Sequence, residues 1–177
     1  AYGQMLGTIG SYGTGDGQFI NPYSLAVDAQ DHLYVADYGN QRVQKLDTNG
    51  NFITKWGSYG TEDGQFHGPA YIAAGPDGSV YVTERWAPDR IQKFDADGHF
   101  ITKWGGTGTT DGKFQFPAGI AVDRDGFVYV ADSYNHRVQK FDADGNFITK
   151  WGSFGTGAGQ FWTVGGVGID PFGFIFA

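Results

Sequence analysis

The sequence contains no cysteine and no long hydrophobic run. The absence of cysteine excludes disulfide bonds, thiolate catalysis and cysteine-ligated zinc. No apolar stretch approaches the roughly 20 residues of a transmembrane helix, so we expect no membrane insertion. Helical periodicity is scarce as well, because no long stretch keeps apolar residues three and four positions apart. These absences favour short strands as the main building element.

Positive charge is also in short supply, with 12 lysines and arginines against 19 acidic residues and a net charge of −7. This balance disfavours nucleic acid and anionic membranes as partners. The 30 glycines and the 17% aromatic content suit many short strands joined by tight turns. The chain starts at Ala1 without an initiator methionine. A processed secreted protein and a trimmed chain would both start in this way, and we expect an extracellular or cell-surface location.

One segment occurs three times, most clearly at residues 19–56, 66–104 and 114–151. Its landmark tyrosines, Tyr34, Tyr81 and Tyr129, are 47 and 48 residues apart, which places one inserted residue in the second copy. Each copy holds four short apolar or alternating runs, and pairs such as Asp125-Gly126 and Asp144-Gly145 separate them. Four antiparallel strands in a period of about 45 residues predict one blade of a β-propeller.

The sequence therefore predicts an all-β chain, a β-propeller of four-stranded antiparallel blades, as a single region over residues 1–177. We assign an outer strand to residues 1–10, blade 1 to 19–57, blade 2 to 66–105, blade 3 to 114–152 and a partial blade 4 to 161–177. The chain would supply about four blades with open edges. Open edges favour either a homo-oligomer, with the ring closed between chains, or further blades from a longer chain.

The repeat resembles the NHL repeat. In the third copy the resemblance rests on Pro117-Ala118-Gly119-Ile120-Ala121-Val122-Asp123, on Tyr129-Val130-Ala131-Asp132 and on Asn135-His136-Arg137-Val138. The first copy matches at Pro22, at Ala26-Val27-Asp28, at Tyr34-Val35-Ala36-Asp37 and at Asn40-Gln41-Arg42-Val43. This resemblance implies a propeller that has six blades when complete. The second copy departs from the pattern with Gly75, Glu84 and Ala87-Pro88-Asp89.

Acidic residues recur at two slots, one after the first strand and one after the second. The residues are Asp28, Asp123 and Asp170 at the first slot, and Asp37, Glu84 and Asp132 at the second. One interpretation is a ring of carboxylates around a metal on the propeller axis, for which calcium is the candidate. The other is that each carboxylate caps its own turn or pairs with the arginine of its blade. We favour the second, and predict no metal site and no cofactor, because a structural need recurs in every blade while a ligand site is usually unique.

Nucleic-acid binding and catalysis are both disfavoured. Some NHL propellers bind RNA through a concentrated basic face, but nine of the twelve basic residues here occupy three repeat slots, one set in each blade. Some propellers of this type are zinc lyases with histidines around the axis. The four histidines here, His32, His67, His99 and His136, share no slot and have no metal-binding spacing. We therefore predict no catalytic residue and lean towards a protein that is not an enzyme.

The loop between the second and third strands of a blade should share a face with the loop that leads into an inner strand. That face surrounds the channel mouth and would gather Tyr23, Tyr38, Tyr71, Arg85, Trp86 and Tyr134. The sequence thus predicts a non-catalytic binding or assembly module that presents this face to a protein, peptide or glycan partner. The alternatives are a metal-dependent six-bladed propeller enzyme, a lyase or lactonase, and a propeller that assembles with copies of itself.

Overall fold

The fold is all-β and consists of successive four-stranded antiparallel sheets, as the sequence predicts. It is seen in a computed structural model that describes residues 7–170 and 172–177. In each full blade the strands lie in chain order, so every connection within a blade is a hairpin. The sequence favours these hairpins because its short apolar runs, and its runs of alternating apolar and polar residues, are separated by Asp-Gly turns. Among the described residues, no helix has the length and hydropathy that a membrane span requires.

The strands of the three complete blades have nearly equal lengths. Blade 1 contains β3 (Pro22–Val27), β4 (Leu33–Asp37), β5 (Arg42–Leu46) and β6 (Phe52–Trp56). Blade 2 contains β7 (Pro69–Ala74), β8 (Val80–Glu84), β9 (Arg90–Phe94) and β10 (Phe100–Gly105). Blade 3 contains β11 (Pro117–Val122), β12 (Val128–Asp132), β13 (Arg137–Phe141) and β14 (Phe147–Trp151).

The remaining elements lie at the two ends of the chain and in the loops. The strands β1 (Ser11–Tyr12) and β2 (Gln18–Phe19) pair in parallel, and β15 (Gly168–Ile169) pairs with β16 (Ile175–Phe176) antiparallel. Short 3₁₀ turns at Tyr38–Asn40 and Ser133–Asn135 link the second and third strands of blades 1 and 3. Most of the outer strand predicted at residues 1–10 lies outside the described residues, and residues 7–10 form no strand.

The first strand of each blade lies nearest the propeller axis. The inner strands β3, β7, β11 and β15 are neighbours in that order, each in contact with the next. The second strands are buried along almost their whole length. Between blades, the indole of Trp56 packs over Gly98 in the last hairpin of blade 2, and Trp104 packs over Gly145 in blade 3. The repeated tryptophans are therefore packing residues between blades, as the sequence predicts.

The acidic turn residues cap their own hairpins. The Asp47 carboxylate accepts hydrogen bonds from the backbone N–H groups of Asn49 and Asn51, both at 2.8 Å. Asp28 accepts the N–H groups of Gln30 and His32 in the same way, both at 2.9 Å. These are Asx turns, in which the carboxylate satisfies backbone donors that the hairpin leaves unpaired.

The segments between blades contain parallel contacts that the sequence did not predict. Besides β1 and β2, single parallel bridges join Tyr59 to Phe66, Thr107 to Phe114 and Phe154 to Phe161. Each bridge closes a glycine-rich loop of about seven residues onto itself. These connectors carry no apolar alternation, which is why their pairing escapes a search for strands.

The inner strand of blade 1 has an uncovered apolar side. Leu25 is 62% exposed, whereas the equivalent Ile72 of blade 2 is 4% exposed. The strand β7 lies between two other inner strands, while β3 has a described neighbour on one side only. The uncovered side is thus one that an adjacent blade covers elsewhere in this chain.

Substitution of Gly98 by alanine tests the packing between blades. A Cβ at Gly98 would lie 2.5 Å from the Trp56 ring, whereas one at Gly78, in blade 2, would meet nothing closer than 4.0 Å. Both glycines have a positive φ, +91° and +83°, so both substitutions cost about 1 kcal/mol in backbone strain. We expect Gly98→Ala to lower the free energy of unfolding by about 1–3 kcal/mol more than Gly78→Ala, measured by urea denaturation. Equal losses would contradict the contact.

One hairpin turn carries a titrating group. His99 Nδ1 lies 2.8 Å from Asp95 Oδ2, and this hydrogen bond raises the pKa of His99 above 6.5. The ion pair is complete below the unfolded-state pKa of His99 and is lost as pH rises through the folded-state pKa. We expect an NMR titration midpoint for His99 above 6.5, which Asp95→Asn lowers while keeping the Asx turn. A His99→Asn variant, which reproduces the residue at Asn51 and Asn146, should lack this step. A midpoint at or below 6.5 would be inconsistent with the pair.

Candidate functional site

A buried network built on the carboxylate at the end of the second strand fixes each connector. In blade 1, Asp37 Oδ1 accepts the backbone N–H of Ile20 at 2.8 Å, and Asp37 Oδ2 accepts Arg42 Nε at 2.8 Å. The terminal nitrogens of Arg42 donate to three connector carbonyls at 2.8 Å each, those of Thr14, Gly15 and Gln18. We call this arrangement the connector network.

The same network occurs in blades 2 and 3. Glu84 pairs with Arg90, and Asp132 pairs with Arg137 at 2.8 Å. Each of these arginines also donates to carbonyls of the preceding connector. Burial raises the pKa of both Glu84 and Asp132, although the hydrogen bonds from their arginines act in the opposite direction. In each blade the second-strand carboxylate therefore pairs with the arginine that begins the third strand, and these arginines are occupied.

Metal ligation finds no support in the part of the chain that the structure describes. Residues 7–170 and 172–177 contain no group of three or more histidine, aspartate or glutamate side chains placed to hold a metal ion. The carboxylates at both repeat slots are instead engaged with turns or with arginines.

The loops between second and third strands lie beside the segments that lead into the inner strands. The backbone N–H of Gly39 donates to Ile20 at 2.8 Å, and that of Tyr134 donates to Gln115 at 3.1 Å. In blade 2 the N–H of Arg85 donates to Gly68 at 3.3 Å. One face of the propeller therefore collects both kinds of loop, as the repeat pattern predicts.

Trp86 connects the three blades on that face. Its indole Nε1 donates to the Tyr38 hydroxyl of blade 1 at 2.8 Å, and its ring meets Phe116 of blade 3 edge-on at 5.9 Å. The ring also rests on Gly68, where a Cβ would lie 2.3 Å from it. Trp86 nevertheless stays 49% exposed. Contacts with Tyr38, Phe116 and Gly68 therefore fix the indole, while about half of its surface stays accessible to a ligand.

Arg85 lies deeper, among three aromatic rings. Its guanidinium carbon is 4.0 Å from the centre of Phe116, 4.8 Å from Tyr23 and 5.9 Å from Tyr71. Its Nε is buried without a hydrogen-bond partner, and no side-chain hydrogen bond or ion pair reaches it from residues 7–170 or 172–177. Tyr23, Tyr38, Arg85, Trp86 and Phe116 line a cavity of about 200 Å³.

Phe116 belongs to this site, although it was absent from the predicted set. It stacks on Tyr134 at 4.9 Å with an angle of 13° between the rings. Its φ of +58° is unfavourable for a bulky residue, and the equivalent positions hold Asn21 and Gly68, which tolerate such a backbone. An alignment of the copies would have exposed phenylalanine as the misfit at this slot.

The structure brings all six predicted residues into one cluster through Phe116. Tyr23 contacts both Tyr38 and Tyr71, with ring centres 5.6 Å apart in each case. We call the seven residues Tyr23, Tyr38, Tyr71, Arg85, Trp86, Phe116 and Tyr134 the aromatic face. Their role in binding stays a prediction.

A larger cavity, of about 540 Å³, lies elsewhere, beside Trp104 and Pro88. Its lining includes Arg90, whose guanidinium is already committed to Glu84 and to the connector carbonyls. The aromatic face therefore has the stronger claim to be a functional site, since its arginine has no such partner.

The strand order, the adjacent inner strands and the repeated connector network define a β-propeller. A model of the NHL repeat matches residues 19–46 and 114–141, which are most of the first and third copies. The chain thus carries NHL repeats at these two positions, as the resemblance of its motifs implies.

Two curated proteins are similar in sequence over short stretches. The chain is 46% identical over 55 residues to Protein lin-41 of Caenorhabditis elegans, a match that covers 31% of this chain and 5% of lin-41. It is 44% identical over 43 residues to Protein brain tumor of Drosophila melanogaster, which covers 24% of this chain and 4% of that protein. The chain thus spans a small part of these relatives.

Two solved structures share the fold at low sequence identity. Kuenenia stuttgartiensis Hydrazine Synthase matches with a TM-score of 0.65 and 16% identity, over 92% of this chain and 44% of that chain. The Nidogen/Laminin Complex matches with a TM-score of 0.63 and 19% identity, over 85% of this chain and 53% of that chain. At this identity the similarity concerns the fold alone.

The two neighbouring arginines of blade 2 should differ sharply in their effect on stability. Arg90→Met leaves the buried Glu84 carboxylate without its cation, so we expect a loss of about 3–5 kcal/mol in the free energy of unfolding. Arg85→Met removes only ring contacts and should cost about 1 kcal/mol.

Urea denaturation at two pH values checks both expectations. Because the pKa of Glu84 is already raised, loss of Arg90 raises it further, and the stability of Arg90→Met should fall as pH rises above the unfolded-state value of 4.5. Comparable losses for the two variants would show that Arg85 is a structural residue.

Proposed function

We propose that the chain is a non-catalytic recognition module that binds a peptide segment of a protein partner on the aromatic face. The observation that carries this proposal is Trp86, which is anchored by Tyr38 and Gly68 and still half exposed. Tryptophan, tyrosine and arginine are the residues that most often dominate binding energy at protein interfaces. Here all three types lie together on loops that a rigid sheet scaffold supports.

The anchoring favours recognition because the side chains are already ordered. The ring of Trp86 is held on two sides by Tyr38 and Phe116, and Phe116 is held by Tyr134. A ligand would therefore not have to immobilise these side chains, and less of its binding energy would be lost to ordering. An extended peptide suits the site, since the aromatic face spans three blades and its cavity, at about 200 Å³, is small.

The enzyme alternative has less support. A lyase or lactonase of the propeller class would use a metal on the axis, and the described residues offer no cluster of ligands for one. The histidines are likewise dispersed: His99 pairs with Asp95 in a hairpin turn, and His67 contacts Tyr59 and the carbonyl of Ala87.

Selection of peptides by phage display, with the purified chain as the target, tests the proposal. We expect the selected peptides to bind at least about thirtyfold more weakly to Trp86→Ala than to the native chain, measured by fluorescence polarisation. The matched control is Trp162→Ala, which removes an indole that is 67% exposed and lies outside the aromatic face.

Two outcomes would count against peptide recognition at this face. One is a set of selected peptides whose affinity falls with Trp162→Ala and not with Trp86→Ala. The other is an absence of selected peptides together with Trp86-dependent binding on a glycan array, which would identify a carbohydrate partner instead.

A further inference from the structure

We infer that Arg85 makes the aromatic face selective for a ligand that carries a carboxylate, and that the carboxylate binds to its guanidinium. This inference rests on the proposed function, since it assigns the ligand chemistry of the same face. The feature that motivates it is a guanidinium that lines a cavity of about 200 Å³ and pairs with no carboxylate of residues 7–170 or 172–177.

The arginines that begin the third strands show the hydrogen bonding of a fully paired guanidinium in this fold. Arg42, Arg90 and Arg137 each pair with a buried carboxylate and donate to connector carbonyls. From the part of the chain that the structure describes, Arg85 receives only ring contacts, and its Nε is buried without an acceptor there. Guanidinium groups carry five hydrogen-bond donors, and a buried donor without a partner is costly. An incoming acceptor would therefore gain from donors that the protein itself leaves unused.

Carboxylates near Arg85 are already engaged elsewhere. Glu84, its neighbour in the chain, points into the connector network and pairs with Arg90. Asp89, at the end of the same loop, accepts the hydroxyl of Thr107 at 2.8 Å. Residues 7–170 and 172–177 thus supply no counter-ion to Arg85, and a ligand can provide one.

The rings around Arg85 favour a planar anion. The guanidinium carbon lies over the ring of Phe116 at 4.0 Å and over the ring of Tyr23 at 4.8 Å. Ring contacts of this kind give the N–H groups no oxygen acceptor, so these donors stay available to a ligand. A carboxylate matches that edge with two parallel hydrogen bonds, and the apolar surroundings strengthen them by reducing competition from water.

The total charge of the chain limits the ligand to a small number of negative charges. With a net charge of −7, the protein repels polyanions such as nucleic acid at long range. A single carboxylate experiences mainly the local field of Arg85. Such a group can come from an aspartate or glutamate side chain or from the C-terminus of a peptide, and both present the same planar anion.

Three pools of short synthetic peptides separate these sources. The first has free C-termini and no acidic side chain, the second has amidated C-termini and one fixed glutamate, and the third has amidated C-termini and no acidic residue. Retention of each pool on the immobilised chain is compared with retention on Arg85→Met and Arg85→Lys. We expect one or both carboxylate pools to be retained about tenfold more strongly than the neutral pool, and Arg85→Met to abolish that difference. Arg85→Lys should keep part of it, because lysine retains the charge without the paired donors.

The outcomes distinguish failure of this inference from failure of the proposed function. If all three pools are retained equally, and retention depends on Trp86 but not on Arg85, the face binds peptides and the carboxylate assignment is wrong. If no pool is retained, both proposals fall. If Arg85→Met still retains the carboxylate pools more strongly than the neutral pool, the carboxylate binds to another cation and the inference is wrong.

Phe116→Asn provides a second and independent variant. Asparagine suits the positive φ at this slot, as at Asn21, so the substitution relieves backbone strain while it removes the ring beneath Arg85. We expect the selectivity for carboxylates to fall at least about threefold, with Arg85 less well oriented. The unfolding midpoint in urea monitors folding, and a folded variant with unchanged selectivity would argue against the role of the ring.

Discussion

The structure depends on one buried ion pair, made between the carboxylate that ends the second strand and the arginine that begins the third. In isolation a buried pair of charges contributes little to stability, because desolvation offsets the attraction between them. Here the arginine also donates to the carbonyls of a glycine-rich loop that has almost no side chains of its own to pack. The pair therefore orients the arginine that holds the connector, and the connector in turn positions one blade relative to the next.

This use of charge explains why so few residues remain for function. Glu84 and Arg85 are adjacent, yet one is buried in the connector network and the other lies among rings on the aromatic face. Strand geometry accounts for the difference, since successive side chains at the end of a strand point to opposite sides. Side chains on one side of the strand end bind the connector, so only side chains on the other side can contact a ligand.

Much of the fold could be predicted from the sequence, because its period, its Asp-Gly turns and its apolar runs are all local signals. The six aromatic and arginine positions could be gathered as well, since hairpin topology alone places their loops on one face. The involvement of Phe116 could not be read from any single copy. It depends on a left-handed backbone at one slot and on the approach of Trp86 from the neighbouring blade. The parallel bridges of the connectors could not be predicted either, because these segments carry no apolar alternation and arginines distant in the chain hold two of the loops closed.

The slot that follows the second strand shows how a repeat can acquire specificity without losing its fold. Blade 1 has Tyr38 there, which accepts the Trp86 indole; blade 3 has Ser133, whose hydroxyl donates to the carbonyl of Val164. Blade 2 has Arg85, whose side chain finds no hydrogen-bond partner within residues 7–170 and 172–177. In blade 2 the backbone N–H of Arg85 donates to the carbonyl of Gly68, a contact that involves no side chain. Because the fold does not depend on the side chain at this slot, the residue there can vary with the ligand that the aromatic face binds.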